Sequence, residues 1–302
     1  MEKTLITGAS GYIGGRLVKF LSSQSNYDII LGSRNNQNIT SWLPEAKVVS
    51  MIWESDHSLE EACTNVDNIV HLAGMNAQEC INDPVKAIEF NALATAHLVH
   101  AAVNKGVKRL IYLSSAHVYG SPLRGDITEE SCATPIQPYA SSHRAGEDIV
   151  LAANERGDIE GIVIRLSNAF GKPVNKEVNC WMLLVNDLCL QAITTQTMKL
   201  RSSGVQRRDF ITLTDTCRAI HHLLELPSGK ISNGLFNVGG DWSPTILEMT
   251  RLVAGRIFLG TGIKPSILYM PGEVSEPPEF FNYNISKLYE SGFKIGNRKK
   301  IK

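Results

Sequence analysis

Three evenly spaced glycines near the start of the chain offer the clearest chemistry in the sequence. Gly8, Gly11 and Gly14 follow a short apolar and β-branched run at 4–7 and lead into an apolar periodicity typical of a helix. Gly8 supplies a tight turn with positive φ, Gly11 lets a phosphate approach the backbone, and Gly14 lets the helix lie close to the strand. The helix N-terminus then offers unpaired N–H groups to phosphate. This order of strand, glycine turn and helix predicts a site for a dinucleotide pyrophosphate.

The end of the second strand-like run indicates which dinucleotide fits. Gly32, Ser33 and Arg34 follow the run 28–31, at the place where an acidic side chain would bind the ribose 2′-hydroxyl of NAD. Glycine and serine leave room for a 2′-phosphate, and an arginine can pair with it. This favours NADP over NAD. The alternative is that Arg34 is an exposed loop residue.

The fourth strand-like run, 67–72, ends in two small residues. Ala73 and Gly74 would let a cofactor pass close to the backbone at this edge. His71 lies inside the same run, and we interpret it as a core histidine rather than a catalytic one.

Polar side chains follow the fifth strand-like run, 108–114, and open the helix predicted over 139–156. Ser115 stands where the strand ends. Tyr139 and His143 are four residues apart, so they share one face of the helix. These side chains form the candidate chemical centre.

The elements that must position these residues alternate along the chain. We predict strands near 3–7, 27–32, 47–52, 67–72, 108–114 and 159–165, and helices near 12–23, 58–63, 85–105, 139–156, 181–193 and 214–226. Alternation of this kind predicts an α/β fold, a Rossmann doubly wound parallel sheet with helices on both faces. The carboxyl ends of its strands meet along one edge, where ligands bind in such sheets.

Composition narrows the class of protein. The 302 residues carry 30 basic and 30 acidic side chains, and this zero net charge gives no indication of a nucleic-acid partner or an acidic membrane surface. No apolar run is long enough to span a bilayer, and no signal-peptide pattern is present. The six cysteines are scattered without a C-x-x-C pair, which favours buried free thiols in a reducing cytosol over disulfides or a metal site. The sequence therefore predicts a cytoplasmic protein without a metal.

The helix predicted over 85–105 carries apolar residues over more than one face. One face would pack on the sheet, and the remainder could cover a partner helix. This pattern predicts a homodimer.

Taken together, the motifs resemble the extended short-chain dehydrogenase/reductase family. The resemblance rests on the glycine trio, His71-Leu-Ala73, Asn91, Ser114-Ser115 with Val118-Tyr-Gly120, and Tyr139 with a basic residue four positions on. Three later motifs resemble its NAD(P)-dependent nucleotide-sugar epimerase/dehydratase branch: Arg165-x-x-Asn168-Ala-Phe-Gly171, Arg208-Asp-Phe-Ile211 and Phe236-Asn-Val-Gly239.

The resemblance implies a role for each residue of the chemical centre. Tyr139 would be the general acid/base that exchanges a proton with a sugar hydroxyl or carbonyl while hydride moves to or from nicotinamide. Ser115 would hydrogen-bond the same oxygen. The family's lysine would hold the ribose hydroxyls and lower the tyrosine pKa, and that position is His143 here.

The histidine at position 143 leaves three outcomes open. A lysine is charged throughout the physiological range, whereas a histidine with a pKa of about 6.5 is charged only part of the time. The protein is active with His143 orienting the cofactor, or slower with an acid-shifted optimum, or a pseudoenzyme that binds without turnover. The presence of Tyr139 and Ser115 favours activity. Arg144 lies about a quarter-turn away, so we do not expect it to replace the lysine.

Two ligand-binding sets follow from the motifs. The predicted cofactor-binding residues are Gly8, Ser10, Gly11, Tyr12, Ile13, Gly14, Ser33, Arg34, Leu72, Ala73, Gly74, Asn91, Tyr139 and His143. The predicted substrate-binding residues are Ser115, His117, Asn168 and Arg208. By resemblance, Asn168 and Arg208 hold the diphosphate of a nucleotide-linked sugar, and the planar fork of an arginine matches phosphate oxygens. The family's second diphosphate-binding arginine, expected near 270–280, is absent from the sequence.

The resemblance also implies a division of the chain. Residues 1–168 would form the dinucleotide-binding domain, to which the chain returns at about 209–238. Residues 169–208 and 239–302 would form a smaller C-terminal α/β domain that binds the substrate.

The favoured function is that of an NAD(P)-dependent oxidoreductase of a nucleotide-linked sugar, a 4-keto-reductase or 4-dehydrogenase. A 4-epimerase that retains its NAD is the first alternative, and a non-catalytic dinucleotide-binding protein is the second. Dehydratases of the family carry an acidic pair just after the serine, where this chain has Ala116 and His117. Water elimination is therefore disfavoured. His117 is a candidate second acid/base or a contact to a ligand.

Overall fold

The computed structural model describes residues 1–34, 46–269 and 279–296. Its strands, in chain order, are β1 (Glu2–Thr7), β2 (Tyr27–Ser33), β3 (Lys47–Ser50), β4 (Asn68–His71), β5 (Arg109–Ser115), β6 (Gly125–Ile127), β7 (Glu160–Leu166), β8 (Asn168–Phe170), β9 (Thr197–Lys199), β10 (Phe210–Thr212), β11 (Leu235–Val238), β12 (Ser266–Leu268) and β13 (Phe281–Tyr283).

The α-helices are α1 (Tyr12–Leu21), α2 (Asp56–Cys63), α3 (Ala77–Asn82), α4 (Pro84–Ile88), α5 (Ala94–Asn104), α6 (Pro138–Glu155), α7 (Leu184–Thr195), α8 (Leu213–Leu224), α9 (Ile246–Thr261) and α10 (Ser286–Glu290). A π-helical turn, Glu89–Leu93, joins α4 to α5. Short 3₁₀ turns span Ala116–Tyr119 and Ser228–Lys230.

Seven strands form one parallel sheet in the spatial order β3-β2-β1-β4-β5-β7-β11. The chain builds the sheet outward from β1 to β3, returns to the middle at β4, and continues in the opposite direction. The reversal between β1 and β4 is the topological switch point at which such sheets bind ligands. The α/β fold with a doubly wound parallel sheet is therefore the fold that the sequence predicted.

Neighbouring residues of the central strands face opposite layers of helices. Leu5, Ile69 and Leu110 pack in one hydrophobic cluster, together with α2 and α5. Ile6 and Val70 pack in the cluster on the other face, together with α1 and α8. Strands buried on both faces read as continuous apolar runs, which is why these segments were recognisable in the sequence.

A third, smaller cluster lies outside the main sheet. It unites α7, β9 and α9 around Leu188, Met198 and Met249. Strand β9 pairs with β12, and β8 pairs with β10, so the segment after β7 contains short parallel pairs that the sequence did not predict.

Several predicted elements differ from the observed ones. The helix predicted over 85–105 is present as a continuous helical stretch over 84–104, but it contains a π-helical turn that the sequence did not predict. The helix predicted over 181–193 begins only at Leu184. The six cysteines are free, and four are buried, but Cys132 is exposed and Cys189 is only partly buried. The stretch 35–45 and the last residues 297–302 lie outside the described part of the chain. So do residues 270–278 of the stretch 270–280, where the second diphosphate arginine was expected.

Candidate active site

The glycine turn between β1 and α1 has the shape that a pyrophosphate requires. Gly8 has a φ of +68°, and a Cβ there would lie 2.7 Å from the backbone nitrogen of Ala73. A Cβ on Gly14 would lie 2.1 Å from the Gly8 carbonyl oxygen. Gly11 begins α1 without a side-chain cap, and the first turn holds no acidic residue. The N–H groups of this turn therefore fit an anionic ligand, and the residues present suit the phosphates of a dinucleotide.

Thr7 and His71 fix the ends of β1 and β4 at the switch point. The Thr7 hydroxyl accepts hydrogen bonds from the backbone N–H groups of Leu72 and Ala73 at 3.2 Å each and contacts Nδ1 of His71 at 2.7 Å. His71 Nε2 lies 3.1 Å from the hydroxyl of Thr95. Burial lowers the pKa of His71 to about 3, so the ring is neutral. The interpretation of His71 as a core histidine is confirmed.

A cleft of about 740 Å³ runs from the glycine turn across the carboxyl ends of the strands. It is lined by most of the predicted cofactor residues, namely Gly8, Ser10, Gly11, Tyr12, Ile13, Gly14, Leu72, Gly74, Tyr139 and His143. The predicted substrate residues Ser115, His117 and Asn168 line it as well. Ser33, Arg34, Ala73 and Asn91 do not line it. The guanidinium of Arg34 instead lies 4.9 Å from the ring centroid of Phe90.

Ser115 and Tyr139 meet at the centre of this cleft. Ser115 ends β5, and its hydroxyl accepts a hydrogen bond from the His117 backbone N–H at 3.3 Å. Tyr139 is the second residue of α6. Desolvation in the cleft raises the pKa of the Tyr139 phenol, and a hydrogen bond with Ser115 offsets part of this rise. The phenol is therefore protonated at neutral pH, so it is set to donate a proton.

His143 lies one helical turn after Tyr139, with the two ring centroids 4.5 Å apart. Its Nδ1 is 2.8 Å from the hydroxyl of Tyr112 on β5. Burial lowers the pKa of His143 to about 4, so this imidazole is neutral at pH 7 and supplies no cation beside Tyr139. Arg144 points elsewhere and pairs with Glu147 and Asp148, which agrees with the expectation that it does not replace the lysine.

Asn91 supports the site from behind the cleft wall. It lies in the π-helical turn and is buried. Its Oδ1 accepts a hydrogen bond from the backbone N–H of Met75 at 2.8 Å, and its Nδ2 donates to Ser142 at 2.9 Å. The side chain thereby ties the loop after β4 to helix α6. Asn91 therefore holds this loop in place and does not itself line the cleft.

A buried ion pair forms the floor beneath Ser115. Glu147 on α6 accepts charge-assisted hydrogen bonds from Nε of Arg165 on β7, at 3.0 Å and 3.1 Å, and from its Nη2 at 2.6 Å. It also accepts one from the Ser114 hydroxyl at 2.6 Å. Both charged side chains are almost fully buried. The Arg165 guanidinium also stacks on the ring of Tyr119 at 4.5 Å. This pair locks β5, α6 and β7 together under the site.

Arg208, the fourth predicted substrate residue, does not line this cleft but a smaller neighbouring pocket, which shares His117 and Asn168 with the cleft. Desolvation and the charge of Arg208 lower the pKa of His117, so the two side chains are close. Among the described residues, the only hydrogen-bond partner recorded for the Arg208 guanidinium is Gln206, at 3.4 Å. Arg207 instead donates to the Ser243 carbonyl and lies 3.8 Å from a carboxylate oxygen of Glu248. Arg208 rather than Arg207 is therefore available to an anionic ligand.

Tyr12 links the glycine turn to the smaller cluster. Its hydroxyl donates to the Gly171 carbonyl at 2.7 Å and accepts from Nδ2 of Asn186 on α7 at 3.0 Å. The sequence predicted Tyr12 as a cofactor contact and gave no sign of this second function. The sequence also missed part of the cleft wall. Residues 175, 177–179 and 182–185 line the cleft without belonging to a recognised motif.

Within the described ranges, no helix combines the length and apolarity needed to cross a membrane.

Comparison with known proteins agrees with this geometry. A family model described as the NAD dependent epimerase/dehydratase family matches residues 4–239. The putative UDP-glucose 4-epimerase of Methanocaldococcus jannaschii is 25% identical over 269 residues, which cover 86% of this chain and 84% of that protein.

Two solved structures share the fold. UDP-N-acetylglucosamine 4-epimerase from Methanobrevibacter ruminantium M1, in complex with UDP-N-acetylmuramic acid, has a TM-score of 0.82 at 21% identity, with 99% of this chain and 94% of that chain covered. MoeE5 in complex with UDP-glucose and NAD has a TM-score of 0.77 at 23% identity, with 99% and 96% covered.

Proposed function

The chain belongs to the NAD-dependent epimerase/dehydratase family of extended short-chain dehydrogenases/reductases, and from this premise we propose that it reduces a keto group, or oxidises the matching hydroxyl, of a nucleotide-linked sugar. The reaction is of the 4-keto-reductase or 4-dehydrogenase type, with Tyr139 as the general acid/base. The observation that carries the proposal is that Ser115 and Tyr139 lie in the same cleft as the glycine turn. A proton donor and a dinucleotide site are thus side by side.

The chain's own residues divide the work of binding and proton transfer. A bound nicotinamide dinucleotide supplies the hydride acceptor or donor. The turn at Gly8, Gly11 and Gly14 would hold its pyrophosphate, and His143 would orient its ribose. Ser115 would bond the oxygen of the reacting carbon, and Tyr139 would give that oxygen a proton or take one from it.

The state of the phenol favours reduction as the direction of the reaction. Reduction of a ketone consumes a proton from the acid/base, whereas oxidation requires a phenolate. Desolvation raises the pKa of Tyr139, and His143 is neutral because burial lowers its own pKa to about 4. Tyr139 is therefore protonated at neutral pH and ready to donate.

A 4-epimerase is the second candidate, supported by the similarity to the Methanocaldococcus jannaschii protein. Epimerisation needs the phenol and the phenolate in turn, because the same carbon is oxidised and then reduced. Dehydration has less support, because Ala116 and His117 stand where an acidic pair would be needed.

The nucleotide-sugar substrate is proposed from Arg208 and the relatives. The guanidinium is half-buried, and its pKa is lowered because desolvation disfavours its positive charge. An anionic ligand would compensate this charge. Asn168 lines both the main cleft and the smaller pocket of Arg208, although its Nδ2 already donates to the Asp209 carbonyl at 2.9 Å. MoeE5, of the same fold, was solved with UDP-glucose and NAD.

NAD is the proposed cofactor, with NADP as the alternative. The family is NAD-dependent, which outweighs the absence of an acidic residue at 32–34. Arg34 stacks on Phe90, and its guanidinium remains at the surface, where a 2′-phosphate could still reach it.

The domain division and the homodimer are further proposals. The third cluster, around α7 and α9, supports a substrate domain built from 169–208 and 239–302, beside a dinucleotide domain of 1–168 and 209–238. Val85, Ile88 and Leu93 are exposed along the predicted long helix, which supports a partner helix there. The cytoplasmic location stays a prediction from the cysteine pattern.

Two measurements test the proposed function. The protein as purified is denatured, and any released dinucleotide is identified by chromatography. Tightly held NAD would favour the epimerase, and an empty protein that binds the reduced cofactor would favour the reductase. Nucleotide-linked 4-ketosugars are then assayed by the loss of reduced-nicotinamide absorbance. We expect Tyr139→Phe to bind the dinucleotide and to lose turnover. Full activity in that variant, or no dinucleotide binding by the native chain, would refute the proposal.

A further inference from the structure

Tyr112 on β5 contacts the histidine that replaces the family's lysine. Tyr112 and Ser114 are two residues apart on one face of the strand, and His143 and Glu147 are four apart on one face of α6. The strand pair meets the helix pair, since Tyr112 bonds His143 and Ser114 bonds Glu147. Tyr112 is only 1% exposed.

Gly146 makes the close approach of α6 to β5 possible. A Cβ at this position would lie 2.6 Å from the Tyr112 hydroxyl oxygen and 2.8 Å from the Asn91 carbonyl oxygen. Any other residue type at 146 would displace the phenol. The pocket that holds the Tyr112 hydroxyl is therefore formed by the backbone of α6 and of the π-helical turn.

The hydrogen-bond network determines where the Tyr112 proton points. Nδ1 of His143 is 2.8 Å away, whereas the carbonyl oxygen of Asn91 is 3.3 Å away. That carbonyl already accepts a bond from the Thr95 hydroxyl at 2.8 Å. Thr95 in turn contacts Nε2 of His71. Nδ1 of His143 is the nearer of the two acceptors and accepts no other hydrogen bond from the described residues, so the Tyr112 hydroxyl donates its proton to Nδ1. Nδ1 of His143 is then the acceptor, and its ring proton must reside on Nε2.

The opposite edge of the His143 ring, with Cε1 and Nε2, lies beside Gly74. A Cβ built on Gly74, at the end of the loop from β4, would lie 3.6 Å from Cε1 and 3.8 Å from Nε2 of His143. His143 and Gly74 both line the cleft. No partner for Nε2 is recorded within the described part of the chain.

We propose that Tyr112 is a positioning residue that holds His143 in the tautomer with its proton on Nε2, so that His143 presents one N–H donor to the ribose hydroxyls of the cofactor. The proposal rests on the proposed function for the identity of that ligand. A lysine at this position would be protonated, and every hydrogen on its nitrogen could donate without help from a neighbour. The histidine needs a hydrogen bond at Nδ1 to fix which of its nitrogens is the donor.

Tyr112 fixes the tautomer but does not relay a proton to solvent. Its side chain is buried between β5, α6 and the π-helical turn. Apart from His143, the groups that its hydroxyl contacts are the Asn91 carbonyl and the Thr95 hydroxyl. Neither group leads to the surface. Tyr112 therefore acts through His143 and never needs to exchange its own proton during turnover.

Nuclear magnetic resonance measures the tautomer without any substrate. The protein is prepared with ¹⁵N-labelled histidine, and long-range ¹H–¹⁵N correlations distinguish the nitrogen that carries the proton. The His143 signals are assigned by their loss in His143→Gln. We expect the native protein to show the Nε2–H form at neutral pH. An Nδ1–H form, or an average of the two, would overturn the proposal, even if the enzyme proves to be an active oxidoreductase.

Tyr112→Phe removes only the hydroxyl. We expect the pure Nε2–H pattern to be replaced by a mixture, and calorimetry to show NAD binding weakened by about fivefold, the size of one modest hydrogen bond. Tyr27→Phe is the matched control, because Tyr27 is also buried and its hydroxyl bonds Glu225 at the opposite end of the sheet. It should keep the native spectrum and affinity. An unchanged tautomer in Tyr112→Phe would overturn the proposed positioning.

Discussion

Replacing His143 by lysine should place a charge beside the Tyr139 phenol, and the spacing of the two rings sets the order of magnitude of the effect. The ring centroids of Tyr139 and His143 are 4.5 Å apart, which we take as the separation between the new charge and the phenol oxygen. Two unit charges at this distance, in an effective dielectric of about 20, interact by about 3.7 kcal/mol. At about 1.4 kcal/mol per pKa unit, the Tyr139 pKa should fall by about 2 to 3 units.

The assay is a titration of the phenol itself. Tyrosinate absorbance is followed against pH for the native chain and for His143→Lys, each measured against its own Tyr139→Phe background, so that the difference reports Tyr139 alone. In the native chain, desolvation holds the Tyr139 pKa above the ordinary tyrosine value of about 10. In His143→Lys, the midpoint should move to a clearly lower pH. His143→Gln, a polar but uncharged control, should leave the midpoint in place.

The sign of the activity change follows from the two directions of the reaction. A lower Tyr139 pKa populates the phenolate, so oxidation of a hydroxyl by His143→Lys should become faster at neutral pH. As pH rises, the rate of keto-group reduction should begin to fall at a lower pH in His143→Lys than in the native chain. The reason is that the proton-donating phenol ionises at a lower pH in this variant. Midpoints that differ by less than about one unit between the native chain and His143→Lys would refute the electrostatic reasoning.

Three further substitutions test other parts of the molecule. Arg208→Gln should raise the KM for a nucleotide-linked sugar about tenfold or more with a smaller change in kcat, because hydrogen bonds to charged groups contribute about 1.5–3 kcal/mol; steady-state kinetics measures this split. Glu147→Gln leaves Arg165 buried without its carboxylate and should lower the free energy of unfolding by about 3 kcal/mol or more, measured by urea denaturation. Gly14→Ala puts a Cβ 2.1 Å from a carbonyl oxygen of the turn and should abolish NAD binding in calorimetry, whereas Gly255→Ala on α9 has open space and should bind NAD as the native chain does.

Each of these expectations has a result that contradicts it. A KM in Arg208→Gln equal to that of the native chain would mean that the Arg208 guanidinium does not bind the substrate. An unchanged urea midpoint in Glu147→Gln would mean that the buried carboxylate is not needed to compensate Arg165. Normal NAD binding by Gly14→Ala would mean that the close approach of α1 to the turn is not required.

The glycine turn and the central strands were predictable because their signals are local. Gly8 and Gly14 are required by contacts within the turn and with the neighbouring loop after β4. The strands around Ile69 and Ile111 are buried on both faces, so a short apolar run was enough to identify them. The order of the sheet then follows from the alternation of strands and helices.

The π-helical turn inside the long helix shows what a local sequence pattern does not reveal. Ala87 is the buried residue of α4, whereas Leu98 and Ala102 are among the buried residues of α5. The π-helical turn inserts an extra residue between them and shifts the phase of the buried face. In the sequence, these two faces merged into one unusually wide apolar stripe. A helical periodicity cannot reveal a turn that changes the period itself.

The partner of His143 was hidden for a different reason. Tyr112 is 31 residues away, on a strand, and the two meet only because α6 packs on β5. The sequence alone shows that Tyr112 and Ser114 share one face of a strand. It also shows that His143 and Glu147 share one face of a helix. The pairing of the two faces was not visible in the sequence, since it depends on the space left by Gly146.

The position of Arg208 in a small pocket also bears on the kinetics of encounter. The chain has zero net charge, so the molecule as a whole exerts no long-range attraction on a diphosphate. The field of the Arg208 guanidinium fades over a Debye length of about 10 Å at 0.1 M salt. A nucleotide-linked sugar would therefore reach the cleft by unguided diffusion, and its arrival rate would vary little with ionic strength. On the proposed function, we expect the guanidinium to act after arrival, by lengthening the residence time of the bound sugar.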